Sequence, residues 1–177
     1  MFLKNFTTAV GYFLAVPIFL LLLAACGSGG SSDPFAKCRY AKPVAIFSDS
    51  LSAVKQHQFE LRENTGYEKV FFESGMELEL FQSGCDNIKQ EFRFSFPIKH
   101  QQDEPQFWIE QAIGLLNYMG NLSEKQKPFL MWSNMIRQQQ QQMDIGEAFE
   151  LEPGVFAKVD RILSDNNTMI LLELSTR

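Results

Sequence analysis

The chain has 177 residues and is acidic, with 16 Lys and Arg against 21 Asp and Glu and a formal net charge of −5. This balance argues against a nucleic-acid partner, because phosphate recognition rewards clusters of Lys and Arg. Aromatic residues make up 13% of the chain, including 17 phenylalanines, which argues for a packed core and against intrinsic disorder.

The first residues have the pattern of a secretory signal peptide. Lys4 provides a short basic region, and an apolar run extends from Ala9 to Ala25. This run is slightly shorter than the about 20 residues that a membrane-spanning helix needs. It ends in Leu-Ala-Ala-Cys at residues 23–26, which resembles the lipobox of bacterial lipoproteins.

The resemblance implies removal of residues 1–25 and acylation of Cys26, which would hold the mature chain on a membrane. Gly27 stands where an Asp would resemble an inner-membrane retention signal. The resemblance therefore favours the outer membrane, with the domain facing the periplasm. A plain signal anchor or an ordinary cleavable signal is the alternative. Residues 26–35 combine the lipidated cysteine with a Gly/Ser-rich flexible tether, which leaves residues 36–177 for a single domain.

Two cysteines remain in the mature chain, Cys38 and Cys85. An exported protein meets an oxidising compartment, so we expect a disulfide bond between them. The chain has no C-x-x-C spacing that would indicate a reactive thiol pair.

Residues 58–96 alternate apolar and polar side chains with a period of two, which is typical of a sheet with one buried face. Turns are expected at residues 64–66, 74–75 and 83–84, where Gly follows polar residues. The short connections predict an antiparallel meander of about four strands. The residues expected on the buried face of the last strand are Ile88, Phe92, Phe94 and Phe96.

Residues 103–143 change to helical spacing and predict two antiparallel helices. We expect Asp103 to cap the first helix, with Gln106 at the capping-box position, and Gly120 to end it. The second helix is expected to begin or kink near Pro128, and Gln138–Gln142 form its polar end. The predicted apolar stripes are Trp108, Ala112, Leu115, Leu116 and Met119, then Phe129, Trp132, Met135 and Ile136.

Three more strands are predicted over residues 147–151, 155–163 and 168–175, joined at residues 153–154 and 165–167. Strands, two helices and strands again indicate an α+β fold. The helices are expected to pack on one face of an antiparallel sheet.

The catalytic candidates in the sequence are weak. Glu77 and Glu79 share one strand face and would suit acid–base chemistry if their environments differed, with His100 as a third candidate. The simpler interpretation is a solvated strand face on which Lys89 or Arg93 pairs with the two acids.

A second catalytic candidate combines two segments, Ser52-Ala53-Val54-Lys55 and Ser164-Asp165-Asn166. These segments resemble motifs of penicillin-binding proteins and serine β-lactamases, in which the Ser attacks and the Lys helps to activate it. Against this interpretation, no Lys-Thr-Gly follows, the chain is short for that fold, and the second segment falls in a predicted turn.

No metal or cofactor is predicted. His57 and His100 have no neighbouring Cys or carboxylate cluster, as a zinc site would require. Met131 and Met135 lie one helical turn apart and are expected to fill the core. Phosphate-loop and Rossmann motifs do not occur in the sequence.

The sequence therefore predicts an anchored, non-enzymatic binding or accessory module for a protein or another envelope component. One version is an inhibitor of a basic cell-wall enzyme, because periplasmic lysozyme-inhibitor lipoproteins are small and some use a Ser-Gly loop. The Ser-Gly pairs at residues 74–75 and 83–84 lack the flanking basic and Tyr residues of that loop. The alternatives are an enzyme acting on peptidoglycan or lipid, and a carrier of a small apolar ligand on the Phe-rich sheet face.

Overall fold

In the residues that the structure describes, seven antiparallel strands and two helices form the domain. The computed structural model describes residues 35–40, 42–96, 104–164 and 167–177, which belong to one unit from Pro34 to Arg177. The strands are β1 (Val54–Arg62), β2 (Thr65–Phe72), β3 (Glu77–Ser83), β4 (Lys89–Phe96), β5 (Ala148–Glu152), β6 (Val155–Leu163) and β7 (Thr168–Thr176). The helices are α1 (Pro105–Gly120) and α2 (Pro128–Gln139), with single 3-10 turns at Glu124–Gln126 and Gln140–Gln142.

The sheet has the strand order β1-β2-β3-β4-β7-β6-β5. Strands β1 to β4 form the predicted meander. The chain then passes through α1 and α2 to β5 at the far edge, and β6 and β7 lead back until β7 pairs with β4. The predicted α+β architecture is therefore confirmed.

One face of the sheet and the two helices enclose the core. Phe92 and Phe94 of β4 are completely buried, as the period-two pattern predicts. Helix α1 contacts both α2 and the sheet. It therefore buries a wider stripe than predicted, with Ile109 and Ile113 buried and Leu115 only partly buried.

The start of α1 differs from the prediction. The capping residue is Glu104, whose side chain makes no capping hydrogen bond, and Asp103 lies outside the described residues. Gln106 is not part of a capping box. Its side-chain amide instead donates to the backbone carbonyl of Gln140, the residue that follows α2, at 2.9 Å. Helix α2 begins at Pro128, as predicted.

Glycine acts differently in two of the predicted turns. The β1–β2 turn places its positive φ of 52° at Glu63, whereas Gly66 lies inside β2. A Cβ atom at Gly66 would lie 2.8 Å from Cβ of Pro43, so this glycine provides space and not a turn. Gly84 does adopt a positive φ, of 119°, in the predicted β3–β4 turn.

A disulfide bond joins Cys38 to Cys85, and so links the first described residues to the β3–β4 turn. The amide of Tyr40 donates to the carbonyl of Cys85 at 3.0 Å, which adds a backbone link beside the disulfide. The N-terminal segment of the domain is thus fixed at one end of the sheet before it crosses the core-facing side.

Candidate functional site

The sheet has a second face that points away from α1 and α2, which we call the open face. Along β2 and β3 the side chains alternate between buried residues on the core side and partly exposed residues on this face. Its main side chains are Tyr67, Lys69, Phe71, Glu77, Glu79, Phe81, Lys89, Glu91, Arg93, Lys158, Asp160, Leu171 and Glu173.

Glu77 and Glu79 lie on the open face and share one cation, Lys69. The Lys69 ammonium binds the Glu77 carboxylate and lies 3.7 Å from Oε1 of Glu79, which also accepts a 3.0 Å hydrogen bond from the Tyr67 hydroxyl. The Glu77 bond raises the pKa of Lys69, and burial raises the pKa of Tyr67. The two carboxylates are similarly exposed, at 32% and 28%, so their environments do not divide them into an acid and a base.

The predicted partners of Glu77 and Glu79 were wrong. Lys89 pairs with Glu173 across the sheet at 2.8 Å, and Arg93 pairs with Glu91 of its own strand at 2.6 Å. Both Lys69 of β2 and Arg93 of β4 lie directly opposite Glu79, but only Lys69 approaches its carboxylate. Arg93 turns towards Glu91 of its own strand.

Aromatic rings and guanidinium groups form a row across four strands of the open face. Arg62 lies over the Tyr67 ring at 4.8 Å, and Arg93 lies over the Phe81 ring at 4.4 Å. The Tyr67 and Phe81 rings are themselves 5.2 Å apart. Cation–π contacts at exposed sites contribute about 0.5–1 kcal/mol each and so favour these side-chain positions.

The centre of the open face is a shallow depression of about 130 Å³, lined by Glu91, Lys158, Asp160, Leu171 and Glu173. Glu91 and Glu173 lie directly opposite each other on β4 and β7. Each has its own cation, as described above, so the like charges are compensated. Among the described residues, no group of three or more His, Cys, Asp or Glu is arranged to hold a metal ion.

The core side of the sheet holds a buried carboxylate that the sequence analysis missed. Glu68 is 0% exposed and accepts hydrogen bonds from the backbone amides of Ile46 and Phe47, at 3.0 and 2.7 Å. Its Oε1 also lies 2.7 Å from Nε2 of His57. Burial raises the pKa of Glu68, and the backbone amides and His57 oppose that rise. The available signal was an acid at a core-facing position of β2, between Gly66 and Val70.

Two further buried side chains hold the same segment, residues 43–47, which we call the strap. The amide nitrogen of Gln82 donates to the carbonyl of Val44 at 3.0 Å, and that of Gln126 donates to the carbonyl of Ile46 at 2.7 Å. These two glutamines are only 9% and 2% exposed. Buried polar side chains therefore satisfy the backbone of the strap, which lies in no strand of the sheet.

The remaining sequence candidates do not come together. Ser52 precedes β1 and Ser164 follows β6, and four strands separate β1 from β6 in the sheet. At the usual strand spacing this separation is about 24 Å, so the two segments do not form a serine–lysine site. His100 lies outside the described residues, as do Asp165 and Asn166.

The methionine prediction was wrong for one of its two residues. Met131 is 57% exposed, because Phe129, Ser133 and Ile136 form the buried side of α2. Met135 is partly buried and packs against the core. Met131 is therefore a surface residue and not core filler.

The leader, the acylation site Cys26 and the tether also lie outside the described residues, so these assignments stay predictions. Within residues 35–40, 42–96, 104–164 and 167–177, no helix has the length and apolar character needed to cross a membrane. Comparisons with protein-family models, curated proteins and solved structures found no match to the chain.

Proposed function

We propose that this chain is a lipoprotein of the bacterial envelope whose domain is a non-enzymatic binding module for a protein or another envelope component. The observation that carries the proposal is the open face, which is broad, partly exposed and rich in aromatic and charged side chains. Its anchor is the acylated Cys26, and the tether that follows lets the domain reach a neighbour on the same membrane.

The composition of the open face suits recognition of a partner. Tyr and Arg are enriched among the residues that dominate the binding energy of interfaces, and here Arg62, Tyr67, Phe81 and Arg93 stand side by side. Their mutual contacts already restrict the side chains. A partner that binds this face therefore loses less side-chain entropy than it would on a mobile surface.

The Cys38–Cys85 disulfide supports the exported location. Structural disulfides persist in oxidising compartments such as the periplasm and are rare in the cytosol. The disulfide and the lipobox resemblance are two independent observations that favour export, since Cys38 and Cys85 both lie outside the leader.

The side-chain contacts on the two faces of the sheet favour binding over the two alternative functions. For an enzyme, Glu77 and Glu79 would need different environments, but both contact Lys69. For an apolar-ligand carrier, the Phe-rich side of β4 would need free space. Phe92 and Phe94 are instead fully buried, and the Phe92 ring contacts Phe129 of α2 at 5.6 Å.

The anchor is tested by growing cells with an alkyne-tagged fatty acid and analysing the purified chain by mass spectrometry. We expect a mature N-terminus at Cys26 carrying acyl groups, and a Cys26→Ser variant that is neither labelled nor cleaved after residue 25. Label on the Cys26→Ser variant, or a wild-type N-terminus other than Cys26, would overturn the anchor assignment.

The binding role is tested against the enzymatic one with matched variants on the open face. We expect Phe81→Ala to abolish the phenotype that the intact chain complements, whereas Glu77→Ala and Glu79→Ala preserve it. Loss with either glutamate variant at unchanged protein level, together with an intact Phe81→Ala variant, would favour catalysis instead.

A further inference from the structure

The segment that contains the strap connects the two ends of the sheet. It comprises residues 38–53, and it starts beside the disulfide, where the amide of Tyr40 donates to the carbonyl of Cys85. It ends where the carbonyl of Ala53 accepts a 3.0 Å hydrogen bond from the amide of Glu73. Cys85 follows the end of β3, whereas Glu73 follows β2, beside the start of β3. The two contacts therefore lie at opposite ends of the strands.

Separate side chains hold this segment at successive points. In chain order, Gln82, Gln126 and Glu68 form hydrogen bonds with its backbone at residues 44, 46 and 47. No described residue of the segment belongs to a strand or a helix. A pull from its N-terminal end loads the first of these bonds before the next. The segment should therefore open before the packed sheet does, because elements held by few contacts open first.

The disulfide provides a much shorter covalent path to the open face. Cys38 lies at the start of the segment, and its partner Cys85 is four positions from Phe81 in the sequence. The Phe81 ring belongs to the open face, where it contacts Tyr67 and Arg93. Tension between the N-terminus and Phe81 therefore passes through the disulfide into the end of β3 and bypasses the strap, β1 and β2.

We propose that the Cys38–Cys85 disulfide makes the domain a load-bearing link between its membrane anchor and a partner on the open face, and that it shields the strap from tension. The load path runs from the proposed anchor to the proposed binding surface, so it rests on the proposed function. Without the disulfide, the same tension peels the strap and pulls Phe47 away from Phe72 and Phe129 in the core.

The test is force spectroscopy on single molecules of the mature chain with Cys26→Ser, which leaves no acyl group and no third thiol. This chain retains the whole Pro34–Arg177 unit. One handle holds the N-terminus, and the other is coupled to an azide on a phenylalanine analogue at position 81, which keeps the ring. Each molecule is pulled in the oxidised state and again after dithiothreitol is added.

The two redox states should extend differently. Beyond the stretching of residues 26–38, the oxidised molecule should gain only the chain between positions 81 and 85, about 14 Å. After reduction we expect a first step of about 50 Å, which releases residues 38–53, and at higher force a second step of about 90 Å, which extends residues 54–81. The second step also shows that the reduced domain was folded.

Gln126→Ala tests whether the first step is the release of the strap. The change removes the hydrogen bond to the carbonyl of Ile46, so at constant force the first step of the reduced chain should come roughly fivefold sooner, with the second unchanged. The matched control is Gln142→Ala, whose side chain bonds Gln139 on the surface, and it should change neither step.

Three results would overturn the proposal: a reduced chain that opens in a single step of about 140 Å, an oxidised chain that shows the 50 Å step, or a first step that Gln126→Ala does not change. No acyl group or partner takes part in this experiment. Its failure is therefore distinguishable from failure of the proposed function, which the acyl-labelling and open-face variants test.

Discussion

Oε1 of Glu68 lies 2.7 Å from the backbone nitrogen of Phe47, which is 21 residues earlier in the chain. The same oxygen lies 2.7 Å from Nε2 of His57 on the neighbouring strand. One buried carboxylate thus joins the strap to β1 and β2. It also fixes the ring of Phe47, which packs against Phe72 and Phe129 at 6.0 and 6.3 Å.

Replacing Glu68 with Ala is expected to destabilise the domain strongly. The change leaves the buried amide of Phe47 and the part-buried amide of Ile46 without their acceptor, and a buried donor without a partner costs about 1–3 kcal/mol. Urea unfolding measures the loss, and hydrogen exchange should show faster exchange at these two amides. The matched control is Glu60→Ala, which removes an exposed carboxylate and should change the stability little. Equal effects of the two variants would contradict the role of Glu68.

The stability of the domain should depend on the protonation of Glu68. Because burial raises the pKa of Glu68, folding favours its protonated form. Its stabilising contribution is complete below the ordinary glutamate pKa and is lost as the pH rises through the raised value. Glu68→Gln cannot titrate. The unfolding free energy of the wild type minus that of the variant should therefore fall as the pH rises from 4 to 7. A difference that rises with pH would contradict the raised pKa.

Loss of the disulfide is expected to destabilise the domain. Cys38 and Cys85 are 47 residues apart in sequence, and closing a loop of that length restricts the unfolded chain by about 4 kcal/mol in the loop-entropy treatment. We expect a Cys38→Ser and Cys85→Ser double variant to unfold at lower urea concentration than the oxidised wild type. The reduced wild type is the control, and it should match the variant. A wild type whose urea midpoint does not change on reduction would contradict a stabilising role.

Two glycines of α1 should respond oppositely to substitution by Ala. A Cβ at Gly120 would lie 2.6 Å from Cγ and 3.0 Å from the backbone nitrogen of Leu130 in α2, whereas a Cβ at Gly114 meets nothing within 4 Å. Gly120→Ala should therefore cost about 1–3 kcal/mol through overpacking. Gly114→Ala should stabilise the helix by up to about 1 kcal/mol. Thermal unfolding of both variants checks the signs, and stabilisation by Gly120→Ala would contradict the close helix contact.

The elements of the fold could be predicted from the sequence because their signals are local. The alternation around Phe92 and the helical stripe that includes Trp108 depend only on neighbouring residues. The side chains of Phe92 and Trp108 are both buried, as predicted. The strap could not be predicted in this way. Its backbone bonds to side chains far along the chain, such as Gln126, which is 80 residues from Ile46. Its own residues have no periodic pattern.

The charge pairs of the open face depend on contacts among neighbouring side chains of the sheet, which the strand pattern of the sequence does not specify. Both Lys69 and Arg93 lie directly opposite Glu79, on either side of it, yet only Lys69 approaches its carboxylate. Arg93 instead binds Glu91 and stacks on Phe81. The choice between two equally spaced partners is made by neighbouring rings, and only the assembled sheet reveals it.

Site-specific photo-crosslinking in living cells tests most directly whether the anchored domain binds a partner through its open face. A photoreactive residue replaces Phe81 on that face or, as the control, the exposed Met131 on α2. We expect one dominant crosslinked protein or envelope component from position 81 and none from position 131. Crosslinking of position 131 alone, or no product from position 81 in the acylated chain, would contradict the account.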